Sequence, residues 1–113
     1  MNINFIFSYQ YEDALTQTGM VLTATQCLEK KLMLETWWKT DGGKIVNELK
    51  SITTLSFRTP EISCYINSQR SFSDPLSLKL EDTEEMKDNL IHEIIHVLLT
   101  QNYEDIKQTW DHF

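Results

Sequence analysis

Two histidines four residues apart, with a glutamate directly after the first, stand in the string His92-Glu93-Ile94-Ile95-His96. In a helix, positions i and i+4 share a face one turn apart, so both imidazoles can reach a single ion about 2.0–2.1 Å from each ring nitrogen. Glu93 is swung about 100° further round the axis. Its carboxylate then lies beside the ion rather than on it, where it can take a proton from a metal-activated water. This is the physical reason the H-E-x-x-H spacing recurs in metal hydrolases. With 3 histidines in 113 residues, chance would produce the string roughly 0.007 times. His92 and His96 are therefore read as metal ligands, Glu93 as the general base, and zinc as the ion. Leu90, Ile91, Ile94, Ile95, Val97, Leu98 and Leu99 surround the triplet, which predicts a helix apolar nearly all round. A buried histidine or glutamate without a partner is costly, so a shared ion is the expected compensation. The competing reading is an ordinary core in which the histidines bond backbone carbonyls.

The elements that must position this triplet follow from periodicity. Residues 2–9 alternate, with Ile3, Phe5 and Phe7 on one face, and read as a strand. From Glu12 to about Trp38 the pattern is helical, with Val21, Ala24, Leu28 and Leu32 on the expected buried face and Lys30 and Lys31 turned outward. Gly19 blurs the start of that helix. Thr40-Asp41-Gly42-Gly43 is the strongest breaker in the chain, and a shorter helix carrying Ile45, Leu49 and Ile52 should follow it. Leu55 and Phe57 suggest a short strand ending before Pro60. Ile62, Cys64 and Ile66 form one alternating run; Leu76, Leu78 and Leu80 form another. Joined by the polar segment 68–74, they are expected to pair antiparallel. Pro75 suits an edge strand.

Asp82 offers an N-cap, with Glu85 three residues on, for a helix running to about Gln101. Residues 103–113 read as a second amphipathic helix with Tyr103, Ile106, Trp110 and Phe113 on its apolar stripe. The expected class is α+β: a small, mostly antiparallel twisted sheet, N-terminal helices and a long helix bearing the site, in one domain over 1–113.

Composition narrows the function classes. The chain is 41% hydrophobic and 24% charged, the balance of a globular protein rather than a disordered or collagen-like one. Its net charge of −7 repels phosphate backbones, which argues against nucleic acid as a partner. No apolar run is long enough to span a bilayer, and the N-terminus lacks a signal-peptide pattern. Cys27 and Cys64 match no metal or redox spacing. They read as core-lining thiols of a reduced, cytoplasmic protein. Trp37-Trp38 should place one ring in the core and leave the other half-exposed.

The uncharged Ile94 and Ile95 inside the motif, and Val97-Leu98 after it, resemble the zincin metallopeptidases. The run Pro75-Leu-Ser-Leu-Lys-Leu80 leading into Asn89-Leu-Ile-His-Glu-Ile-Ile-His96 is most similar to small bacterial minimal zincins. The order of elements resembles a zincin upper subdomain: helices and a twisted sheet, an edge strand, then the active-site helix. The resemblance implies a zinc-dependent peptidase, with a peptide or protein substrate pairing with the edge strand Leu76–Leu80.

A third zinc ligand is not supplied by the motif. Of the zincin variants, one would need glycine at Leu99 and histidine at Asn102; the chain has neither. Glu104 and His112 are weak candidates; Asp105 and Asp111 also follow His96. Glu104 and Asp105 read better as first-turn charges, and His112 falls opposite the apolar stripe. The C-terminal part of a full zincin, carrying the missing ligand, is expected beyond residue 113. Two alternatives stay open: an inactive or truncated zincin-like interaction module, and a metal-dependent hydrolase acting on something other than peptides.

Overall fold

The structure, a computed structural model, describes residues 1–7, 24–67, 71–73 and 75–111. Strand β1 (Asn2–Phe7) is followed by helix α1 (Ala24–Thr53), strands β2 (Glu61–Asn67), β3 (Phe72–Ser73) and β4 (Leu76–Lys79), and helices α2 (Thr83–Gln101) and α3 (Tyr103–Asp111). The α+β class holds, but the pairing is not mostly antiparallel. In the four-stranded order β1-β2-β4-β3, β1 and β2 run parallel, as do β2 and β4. Only the two-residue β3 opposes its neighbour β4.

The reason the antiparallel expectation fails lies in what alternation encodes. A period of two tells which residues share a face and carries no direction. Ile66 and Leu78 do share a face, side by side in register, but the chain passes through β3 on the far side of β4 before β4 enters the sheet. The Leu76–Leu80 run is therefore not an edge. Leu76, Ser77 and Leu78 are all buried, the mark of a strand covered on both sides, and the edge on that flank is β3.

One face of the sheet carries Ile3, Phe5, Cys64, Ile66, Leu76 and Leu78, and both long helices pack into that same core through Leu34, Trp38 and Leu49 of α1 and Met86, Leu90, Ile94 and Leu98 of α2. The opposite face presents Asn2, Asn4, Glu61 and an exposed Tyr65. Cys64, fully buried, is the core-lining thiol expected; burial pushes its pKa up to about 12. The side chain of Cys27 lies outside the described residues.

Helix α1 also departs from expectation. It runs without a break through Asp41, Gly42 and Gly43, because Gly42 is used for close approach rather than for a turn. A Cβ at Gly42 would stand 2.7 Å from Cδ2 and Cε2 of Trp38. The buried indole lies flat on the helix backbone and donates from Nε1 to the Met1 carbonyl at 3.3 Å, fastening α1 to the head of β1. Trp37 is half-buried, its ring centroid 5.9 Å from that of Trp38, as the paired aromatics suggested. The expected apolar stripe was misplaced: Leu28 and Leu32 are exposed, and so is Ile52. Lys31 pairs with Glu35 at 3.7 Å, while Lys30 turns inward to donate to Thr83 Oγ1. Glu12, Gly19 and Val21 lie outside the described residues.

The helix ends at Thr54, whose φ of 61° lies in the left-handed region and whose N–H donates to the Lys50 carbonyl at 2.8 Å, capping α1 without a glycine. Leu55 and Phe57 form no strand; residues 54–60 are an irregular connection into β2.

Candidate metal centre

Helix α2 is built as its sequence requires. Asp82 stands in extended conformation at the N-cap and accepts the Glu85 N–H at 3.0 Å. Met86, Leu90, Ile94 and Leu98, spaced by four, bury one stripe against the sheet. The triplet sits past this stripe, halfway along the helix.

His92 and His96 project together from α2. Their ring centroids are 4.8 Å apart and their Nε2 atoms 3.2 Å apart. Two donors held about 2.0–2.1 Å from one tetrahedral ion lie about 3.3 Å from each other. The pair thus has the bite of a single ion before any ion arrives. The same atoms can instead meet as one hydrogen bond between imidazoles, the donor set by the tautomers. Glu93 Oε1 lies 3.7 Å from His92 Nε2, and the three ligand atoms fall within 4.8 Å of one another. His92, Glu93 and His96 could hold a metal ion together.

Burial divides the three differently from expectation. The helix is not apolar all round: the side chain of His92 is 68% exposed, and His96 is exposed too. The helix gives its apolar stripe to the sheet and turns the imidazoles to solvent. Glu93 alone is buried, at 8% exposure. Among the described residues its carboxylate meets no hydrogen-bond donor; His92 Nε2 lies 3.7 Å away. A buried carboxylate in that position is costly unless a cation compensates it. The donor set, two imidazoles beside a buried carboxylate, fits a divalent metal by its chemistry.

The candidates for a third ligand do not join them. Among the described residues no further histidine, cysteine, aspartate or glutamate enters the cluster. Glu104 is exposed on α3. Asp105 is paired with Arg58. His112 lies outside the described residues. Asn102, at the position where one zincin pattern places a histidine, is buried and fully engaged: Nδ2 donates to the carbonyls of Leu98 at 2.9 Å and Ser56 at 3.0 Å, and Oδ1 accepts from Arg58 Nε at 3.2 Å. Gln101 completes this latch, accepting the Arg58 N–H at 2.7 Å and donating to Thr59. The latch fixes the end of α2, and with it the pitch of the histidine face, to the connection before β2. An asparagine directly after the last periodic residue is a C-cap signal, and Asn102 stands there as the C-cap of α2.

Lys79 is 3.7 Å from Glu81. Arg70 lies outside the described residues. No helix among the described residues is long and apolar enough to cross a membrane. No protein-family model, curated protein or solved structure matches this chain.

Proposed function

We propose that this chain is a zinc-dependent peptidase domain of zincin type, in which His92 and His96 hold the ion and Glu93 is the general base. The observation that carries the reading is the pair of Nε2 atoms 3.2 Å apart over a buried carboxylate 3.7 Å from one of them. When bound, zinc supplies Lewis acidity, polarising a carbonyl and lowering the pKa of water. The chain supplies the rest. His92 and His96, rising from one turn of a capped and packed helix, orient the donors. Glu93 accepts a proton on its carboxylate and returns it to the leaving amine. Its burial, with the imidazoles as the open side, directs that proton toward the reacting groups rather than bulk water. An extended peptide would pair with the outer edge of β3, Phe72–Ser73, which no described strand covers, since β4 is interior.

The test is zinc content after purification without chelator, beside peptide hydrolysis in dilute solution. Zinc should be retained by the native chain and lost in His92→Ala and His96→Ala. Glu93→Gln should keep the zinc and lower turnover by about 10²–10⁴-fold. A zinc-loaded chain that cleaves no peptide at any dilution would replace this reading with a non-catalytic metal-binding module, which the exposure of Leu99, three residues on from His96, also favours.

A further inference from the structure

Among the described residues the two imidazoles offer half of a tetrahedral shell, and two polar side chains that follow them are committed elsewhere: Asn102 to the α2 cap, Asp105 to Arg58. Meanwhile the face that carries them is open. His92, His96 and Leu99 fall within an arc of about 60° on α2, Leu99 is 40% exposed, and Tyr103 just beyond is 58% exposed. We propose that a second copy of this chain completes the shell, so that His92 and His96 of two chains bind one divalent ion across a two-fold axis. The inference rests on the metal-binding half of the proposed function and is independent of the peptidase half.

Symmetry favours it. A two-fold axis through the ion is isologous, the commonest closed arrangement. Leu99 gains cover. Four imidazole nitrogens in tetrahedral array suit zinc above the other divalent ions. One helix face is small beside a standard protein interface, so the ion is the principal link and the dimer forms only with it. In that state the ion has no open position, which makes the dimer a closed form of the centre.

The experiment is titration of the metal-free full chain with zinc chloride, followed by light scattering for mass and elemental analysis for zinc. Mass should double as zinc reaches half an equivalent per chain, and chelator should reverse it. His92→Ala and His96→Ala should each stay monomeric with an unchanged circular-dichroism spectrum. Leu99→Glu, which leaves both histidines in place and sets a carboxylate from each chain on the histidine face, should weaken dimerisation at least about tenfold. One zinc per chain at unchanged mass overturns the dimer and leaves the metal centre standing. A doubled mass that survives chelator or the histidine substitutions overturns the bridged arrangement. No zinc uptake by the folded chain overturns both.

Discussion

At the scale of single residues, burial decides which side chains can act and which are structural. Glu93 is confined and His92 and His96 are free, although they are one and three positions apart on one helix. The same helix carries a second acidic group whose energetics can be worked out. Asp82 is held below its ordinary value of 3.8, chiefly because it accepts the Glu85 N–H. Glu85 is pushed above its ordinary value of 4.5, first by its hydrogen bond to Asp82 and then by the charges of Asp82 and Glu81. The signs are opposite. The depressed Asp82 contributes stability above its unfolded pKa and loses it as pH falls through the folded value. The raised Glu85 contributes stability below its unfolded pKa and loses it as pH rises through the folded value. At neutral pH Glu85 is therefore an ionised group among like charges at the start of α2. Glu85→Gln should raise the melting temperature at neutral pH, and the gain should vanish in acid, where Glu85 already carries its proton. Thermal unfolding of both chains across the carboxylate range checks it. A gain that persists in acid would place its origin outside this charge cluster.

At the scale of elements, what could be read from the sequence is what local spacing encodes. The strands at β1, β2 and β4, the long helix from the Asp82 cap to Gln101, and the clustering of His92, Glu93 and His96 all follow from periods and caps spanning a few residues. Strand direction, the order β1-β2-β4-β3 and the exposure of the histidine face depend on contacts far apart in sequence, and no period carries them. Gly42 shows the limit most plainly. As a type it signals a breaker, and only the indole of Trp38 lying on its backbone shows it to be a packing glycine inside a continuous helix. The two neighbouring glycines of α1 therefore respond in opposite senses to the same substitution. Alanine is favoured over glycine in a helix interior by about 1 kcal/mol. Gly43 has nothing within 4 Å of a new Cβ, so Gly43→Ala should stabilise the chain by about that amount. At Gly42 the methyl would meet the buried Trp38 ring at 2.7 Å. Overpacking of this kind costs about 1–3 kcal/mol and outweighs the propensity gain, so Gly42→Ala should destabilise. Denaturant midpoints of the two variants give the comparison; equal shifts in one direction would mean that Trp38 does not seat against Gly42.

At the scale of the whole molecule, the candidate metal centre and the core are joined through α2, whose one stripe packs on the sheet while the next face carries the imidazoles. Cys64 provides a probe of that linkage. It is fully buried on β2, flanked by β1 and, further along the strand, by β4, and burial has pushed its thiol to about 12. In the native state it is both inaccessible and protonated, and thiolate is the reactive form. Labelling of Cys64 in a Cys27→Ser chain should therefore proceed only through opening of the sheet, with a denaturant dependence equal to that of global unfolding. An ion that binds the folded helix and not the unfolded chain stabilises the native state by about 2.7 kcal/mol at a concentration one hundred times its dissociation constant. Zinc at that level should then slow Cys64 labelling about 100-fold, and should leave the rate unchanged in His92→Ala. The thiol lies on β2 inside the core and the imidazoles on an exposed face of α2, so protection does not require zinc to touch the label. Slowing in the native chain alone would measure how tightly the His92–His96 face is coupled to the fold. Equal rates with and without zinc, once binding is established, would mean that α2 holds its ion independently of the sheet beneath it.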